Sequence, residues 1–212
     1  MKAFIFDMDG VIIDTEPLHN KIVRGILAKD NIFVTDEEFE KFTGMASTAI
    51  FDIFIKRYNL PHTAKQMSQD QMTTLKDYIV KYQMKPIAGI IPLIEKLHKV
   101  GIPMAIASSS RPDVIKFIVD FFNITSYFKI LMSGEDLPHS KPAPDIYLQT
   151  AQKLGVVPAD CVVLEDSING TIAAKTAGMY CIGFANPNSG NQDLSRADII
   201  VDKITDIDIT NL

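Results

Sequence analysis

Cysteine is scarce in this chain: its 212 residues include only Cys161 and Cys181. Each lies in an apolar, strand-like run, so the pair reads as buried free thiols in a reducing compartment rather than a disulfide framework. Two such ligands also fall short of a metal site by themselves. Excess basic charge is absent as well. The 21 Lys and Arg against 26 Asp and Glu leave a formal charge of −5, which gives no support to a nucleic-acid footprint of clustered cations. A locally basic pocket remains compatible with that total. No apolar stretch approaches a membrane span, and Met1-Lys2 leads straight into a strand-like run rather than a signal peptide. Repeats and low-complexity segments are missing too. What remains is a soluble chain, expected in the cytoplasm. Its composition is ordinary, 47% hydrophobic and 22% charged, and it is long enough for one large domain or two unequal ones.

Its most informative segment is Phe4-Ile5-Phe6-Asp7-Met8-Asp9-Gly10-Val11. An apolar run without polar alternation suits a parallel strand buried on both faces. Such a strand has no packing use for two aspartates at its carboxyl end, which is where open α/β sheets place their ligand crevice. Asp7 and Asp9 therefore read as reactive groups. A plain Asp-x-Asp-Gly turn leaving a strand reads equally well from these residues alone.

From Asp14 to about Tyr82 the signals are helical. Pro17 suits a first helical turn with Thr15 as N-cap. Leu18, Ile22, Ile26 and Leu27 then recur at helical spacing. Thr35-Asp36-Glu37-Glu38 marks another start, with a possible capping pair. Thr43-Gly44-Met45-Ala46-Ser47 breaks the block, the apolar stripe resumes at Ile50, Phe51, Phe54 and Ile55, and a third long helix follows Pro61-His62-Thr63. From Pro86 onward strands and helices alternate. Helices are expected over 90–100, 112–122, 144–154 and 167–177, and strands over 103–107, 129–132, 161–164, 180–184 and 197–201. Repeated strand–helix units imply a parallel sheet covered on both faces. The expected fold is α/β: a Rossmann-like core from residues 1–15 and 83–212, with a small all-helical cap, residues 16–82, inserted after the first strand. A module inserted there sits over the crevice as a lid.

Other strand ends in this scheme also carry polar clusters. Ser108-Ser109-Ser110-Arg111 follows the second strand, Ser140-Lys141-Pro142-Ala143-Pro144-Asp145 lies beyond the third, and Glu165-Asp166 ends the fourth. Taken singly, each has an ordinary explanation. The serines suit a helix cap, Lys141 a solvated loop, and Glu165-Asp166-Ser167 an acidic helix start. Together they bring carboxylates, a hydroxyl and an ammonium group to one rim. Crowded carboxylates call for a hard cation, and Mg²⁺ prefers oxygen ligands with waters and phosphate oxygens. A lysine and a hydroxyl beside it suit a phosphoryl group. The favoured chemistry is phosphoryl transfer with an aspartate nucleophile.

Asp7-Met8-Asp9-Gly10, Ser108, Lys141 and Glu165-Asp166 stand in the order of the four motifs of the haloacid dehalogenase superfamily. The stretches from Ser140 to Asp145, from Leu164 to Ser167 and from Asp14 to His19 closely resemble its β-phosphoglucomutase-like phosphatase branch, and the resemblance covers essentially the whole chain, cap included. The resemblance implies that Asp7 is the nucleophile and forms an aspartyl phosphate. Asp9 would protonate the leaving oxygen and later deprotonate the hydrolytic water. Asp7, the Asp9 backbone carbonyl and Asp166 would hold Mg²⁺, with Glu165 contributing to the metal site through water or as close support. Ser108 would donate to a phosphoryl oxygen, Lys141 would neutralise charge, and Gly10 would let the backbone present its amide near the phosphate. Displacing halide needs no acid whereas an alkoxide leaving phosphorus does, so a carboxyl group at Asp9 favours phosphate esters over carbon–halogen bonds.

Sugar phosphomutases of this branch carry a cap-loop arginine for a second phosphate, and the corresponding position here holds Ser47. Serine supplies neither charge nor a bidentate fork, and Lys76 is the candidate cationic replacement. The expectation is a monomeric hydrolase for a small phosphate monoester, a sugar phosphate, with no nucleic-acid or membrane partner. Mutase activity is the alternative, and a non-catalytic binding protein or a phosphonate hydrolase are further ones. Candidate substrate contacts are Gly10, His19, Gly44, Ser47, Lys76 and Ser109, with Met45 and Thr48 also able to face the crevice.

Overall fold

The N-terminal apolar run becomes β1 (Ala3–Phe6), buried at every position. It lies inside a six-stranded sheet with β2 (Met104–Ser108), β3 (Phe128–Ser133), β4 (Cys161–Glu165), β5 (Tyr180–Phe184) and β6 (Ile199–Val201), in the order β3-β2-β1-β4-β5-β6. Every pairing is parallel. The structure, a computed structural model, describes all residues except Thr43, Gly44, Ala46 and Asp136. Strand order runs outward from β1 to β3 and then returns to the other side of β1 for β4. Such a reversal opens a crevice at the carboxyl ends of the strands beside it. Phe6 is in register with Ile106 on one side and Leu164 on the other, so the residues following all three emerge at one rim.

Alternation along β1 divides the core. Phe4 and Phe6 join a cluster with Leu93, Leu97, Ile115 and Ile118, from α5 (Ile90–Lys99) and α6 (Pro112–Phe121). Ala3 and Ile5 join the opposite cluster with Ile146, Tyr147 and Ala173, from α7 (Asp145–Leu154) and α8 (Ile168–Thr176). The small residues on this second face let α7 and α8 pack closely. Burial of each phenylalanine contributes about 1.5–3 kcal/mol.

Between β1 and β2 stand α1 (Glu16–Ala28), α2 (Asp36–Glu40), α3 (Ser47–Tyr58) and α4 (Ala64–Lys81). Their apolar stripes, including Val23, Phe51, Phe54 and Leu75, belong to the same cluster as Phe4 and Phe6. Thr35 caps α2 by accepting from Glu38 N–H at 3.3 Å, and Thr63 with Gln66 forms a capping box on α4. Thr15 makes no side-chain cap on α1, because its hydroxyl bonds elsewhere. Among the described residues no helix is long and apolar enough to cross a membrane.

Candidate active site

The chain leaves β1 with Asp7 N–H still donating to Leu164 C=O at 3.0 Å, which fixes the Asp7 side chain at the rim. A tight loop follows, in which Ile12 N–H donates to Met8 C=O and Gly10 N–H to Ile13 C=O, both at 2.8 Å. Gly10 has φ +79, and a Cβ there would lie 1.9 Å from Asp166 Oδ2. Only glycine lets this loop approach the end of β4 so closely. Asn186 Nδ2 donates to Gly10 C=O at 2.9 Å and braces the loop from β5.

Lys141 is buried. Its Nζ donates to Asp7 Oδ1 at 2.9 Å, Glu165 Oε1 at 2.5 Å and Ala107 C=O at 3.3 Å. Burial by itself lowers the lysine pKa, but the charges and hydrogen bonds of Asp7 and Glu165 outweigh it and hold the ammonium form. Asp7 is pushed well above the usual carboxylate range, chiefly by burial, against the pull of Lys141 and with the charges of Glu165 and Asp9 adding to the rise. Glu165 Oε1 also accepts from Tyr147 OH at 2.7 Å. Its Oε2 accepts from Asp166 N–H, Ser167 N–H and Ser167 Oγ at 3.0, 3.1 and 3.0 Å. Ser167 in turn caps α8 through Gly170 N–H at 3.0 Å. Ser189 Oγ donates to Asp166 Oδ2.

Asp9 is held by groups from both the sheet domain and the helical insertion. Its Oδ1 accepts from Thr15 Oγ1 at 2.5 Å and faces His19 Nε2 at 3.2 Å. Its Oδ2 accepts from Ser108 Oγ at 3.1 Å and Ser110 Oγ at 2.8 Å. Burial raises the Asp9 pKa, but His19, Thr15 and Ser110 together overcome that effect and leave it at about 2. Behind His19, Gln71 of α4 meets Nδ1 at 3.0 Å. A cavity of about 50 Å³ lies between these layers, with Asp7, Asp9, Lys141 and Asp166 below and His19 and Gln71 above.

The rim therefore gathers Asp7, Asp9, Lys141, Glu165 and Asp166, as the sequence suggested. Ser108 is fully buried and bonds to Asp9, while Ser109 and Ser110 line the cavity. The serine run does not cap α6, whose N-cap is Arg111 without a side-chain bond. Ser47 and Met45 also line the cavity, and Thr48 lines a smaller one beside it. Gly44 lies outside the described residues. Lys76 is corrected: its Nζ pairs with Asp113 on α6 at 2.5 Å and sits 5.8 Å from the Phe117 ring centre, not at the cavity. At about 100° per residue it lies roughly 140° around α4 from Gln71, which carries it off the active face. Thr15, Gln71, Ser110, Tyr147 and Ser189 escaped the sequence reading. Ser110 was visible in the serine run, whereas Tyr147 and Gln71 sit in ordinary helical patterns with no local signal.

A buried carboxylate presented at the switch point of a parallel sheet, with an ammonium group fixed on it, places a charged reaction chamber in the ligand crevice of an α/β fold. Residues 4–184 match the family model described as haloacid dehalogenase-like hydrolase. Hexitol phosphatase B of Escherichia coli strain K12 is 30% identical over 212 residues, covering 99% of this chain and 96% of that protein. Fructose-1-phosphate phosphatase YqaB of the same strain is 28% identical over 180 residues, covering 85% of this chain and 94% of that protein. The crystal structure of β-phosphoglucomutase from Clostridium difficile superposes with a TM-score of 0.86 at 24% identity, over 100% of this chain and 95% of that one. The chain belongs to the haloacid dehalogenase-like hydrolase family, in its phosphatase branch.

Proposed function

We propose that this protein is a Mg²⁺-dependent phosphatase that hydrolyses a sugar or sugar-alcohol phosphate through an aspartyl phosphate on Asp7. The observation that carries the reading is the fixed placement of Asp7 by Lys141 at 2.9 Å, beside a second acid, Asp9. In this mechanism residues 1–15 and 83–212 form the catalytic core, and residues 16–82 form the cap over it.

The donor set fits a hard cation. Asp7, Glu165 and Asp166 each offer an oxygen within 4.8 Å of the others, and Lys141 alone offsets only part of that negative charge. Asp7, Asp166 and the Asp9 backbone carbonyl would hold Mg²⁺, with Glu165 supporting them, and the ion would neutralise charge on the phosphoryl oxygens. Glu165 already accepts five protein hydrogen bonds, so its support runs mainly through Lys141 and the Asp166 turn.

The Asp7 carboxylate oxygen attacks phosphorus as the bond to the leaving oxygen breaks, and Asp9 delivers a proton to that oxygen. Asp9 then takes a proton from the water that attacks the aspartyl phosphate, which releases phosphate and regenerates Asp7. Lys141 holds the nucleophile in place and offsets charge throughout. With a pKa of about 2 in its present setting, Asp9 must lose donors to act as an acid. Ser108 and Ser110 hydroxyls that turn to a bound phosphoryl group would loosen that hold.

Hydrolysis is favoured over mutase chemistry because, among the described residues, no lysine or arginine of the cap lines the cavity. Two relatives are named as phosphatases of a hexitol phosphate and of fructose 1-phosphate, which supports the substrate class. The cap shields its own site, which favours a monomer acting on a small metabolite. The test is release of phosphate from sorbitol 6-phosphate with Mg²⁺, with EDTA, and by Asp7→Asn. The expected result is turnover with the metal, none after chelation, and none in the folded variant. Full activity in Asp7→Asn would refute the nucleophile assignment, and formation of glucose 6-phosphate from β-glucose 1-phosphate would establish the mutase instead.

A further inference from the structure

Only three buried side-chain polar atoms among the described residues lack a hydrogen-bond partner: Arg24 Nε, Ser68 Oγ and Gln71 Oε1. Arg24 is otherwise engaged, with its guanidinium paired to Asp36 at 2.5 Å and lying 5.2 Å from the Phe39 ring centre. The other two lie three residues apart on α4, which places them on one face of the helix. Ser68 is 0% exposed and Gln71 1% exposed. Gln71 lines the catalytic cavity. Its amide meets His19 Nδ1 through one atom, so either orientation of the amide leaves the other atom open.

Ser68 lines a neighbouring cavity of about 10 Å³, whose walls include Ser47, Thr48, Ser109, Arg111 and Glu135. Ser47 and Ser109 are walls of both cavities, so the smaller space extends the catalytic one along α4. A buried polar atom without a partner is costly and uncommon in native proteins. Two of them on one turn, both beside the reaction chamber, mark a surface that is complete only with a ligand. The ligand's chemistry follows from the walls. Arg111 is the one cation there, and it is tied to Asp113 at 3.0 Å and to Glu135 at 3.6 Å. A second phosphate would meet Glu135 as well as a neutralised arginine, whereas a hydroxyl can both donate to Gln71 and bond to Ser68.

We propose that Ser68 and Gln71 form a specificity subsite for hydroxyl groups on the leaving alcohol. The substrate is then a phosphate monoester of a polyhydroxylated alcohol rather than a bisphosphate or a simple alkyl phosphate. This inference rests on the phosphatase reading above. Its test compares kcat/KM on sorbitol 6-phosphate with that on ethyl phosphate, in the wild type and in Ser68→Ala, alongside Tm.

The wild type should prefer the polyol ester by more than about tenfold. Ser68→Ala should cut that preference roughly fivefold, chiefly through KM on the polyol ester, in line with one lost neutral hydrogen bond. Removing an unpartnered buried hydroxyl should also raise Tm by about 2–4 °C, which a structural serine would not do. An unchanged preference in the variant, or no preference in the wild type, would overturn the subsite while leaving the phosphatase standing. A fall in Tm would assign Ser68 a structural bond and overturn its part. Absence of phosphate release from both esters would instead refute the phosphatase reading, and the subsite with it.

Discussion

Glu165→Gln changes one oxygen to an NH₂ group, yet it should be among the most damaging substitutions in the sheet domain. Glu165 is fully buried and accepts five hydrogen bonds: two at Oε1 from Lys141 and Tyr147, three at Oε2 from the Asp166–Ser167 turn. Glutamine has one acceptor oxygen, so its NH₂ group must face donors whichever way it is turned. Facing the turn, it leaves two buried backbone N–H groups unpaired, at about 1–3 kcal/mol each. Facing Lys141, it leaves the ammonium with only Asp7 and a 3.3 Å contact to Ala107 C=O. Breaking a buried ion pair from one side costs about 3–5 kcal/mol, and both orientations agree with that range. For a chain of this size the loss corresponds to a fall in Tm of about 6–20 °C. The assay is urea unfolding with Lys141→Met and the double variant included. Each single variant leaves charge buried without its partner, so the double should cost about 2 kcal/mol less than the sum of the two. Unfolding of Glu165→Gln within about 1 kcal/mol of wild type, or strict additivity in the cycle, would show that the network is not a coupled unit.

Gly170→Ala tests the same clamp from α8. The added Cβ would lie 1.8 Å from Glu165 Oε1, and a carboxylate held by five donors has nowhere to move, so unfolding should show a loss of about 3 kcal/mol; a neutral variant would mean that Glu165 swings freely. Asp198→Asn concerns pH. The Asp198 carboxylate accepts from Lys175 Nζ and Cys181 N–H, each at 2.7 Å; burial raises its pKa but these donors outweigh it, so the folded value lies below that of an ordinary aspartate. Its stabilisation is therefore complete above the unfolded-state value and disappears as pH falls through the folded one. Tm of the wild type should drop more steeply than that of Asp198→Asn below about pH 4, and parallel curves would contradict the assignment.

The sheet was legible because burial on both faces leaves a strong mark. β5 spans Tyr180–Phe184, as the continuous apolar run indicated, and β4 extends one residue past its expected end only because Glu165 itself stays in the ladder opposite Gly183. The acidic rim was legible for the same reason, since charged residues directly after buried strands have few structural uses. The finer parts of the site depend on competition that sequence does not display. Thr15 has the right position and chemistry for an N-cap, but Asp9 lies within reach and its charge makes it the stronger acceptor. Ser108 and Ser110 before α6 are likewise taken by Asp9, while Pro112 starts that helix with no N–H to cap. Tyr147 lies on a helix face that reads as plain core, and only the tertiary approach of β4 gives its hydroxyl a partner.

Asp9 shows why the helical insertion belongs to the chemistry of the proposed mechanism and not only to its enclosure. One of its oxygens is held by Thr15, the last residue before the insertion, and by His19 in its first helix, and the other by Ser108 and Ser110 from the sheet domain. Gln71 of α4 meets His19 of α1, so a second inserted helix bears on the Asp9 carboxylate through His19. Holding it from both sides favours the ionised form, which suits the step that accepts a proton from water. Donating a proton requires the opposite state, and of these donors His19 and Ser110 line the cavity where a phosphoryl group would enter. A Ser110 hydroxyl that turned to the phosphate would leave Asp9, and its bond is one of those that lower the Asp9 pKa, after those of His19 and Thr15. In the proposed mechanism, phosphoryl binding and the acid strength of Asp9 would be linked through Ser110, while His19 would supply the hold that remains when the proton returns.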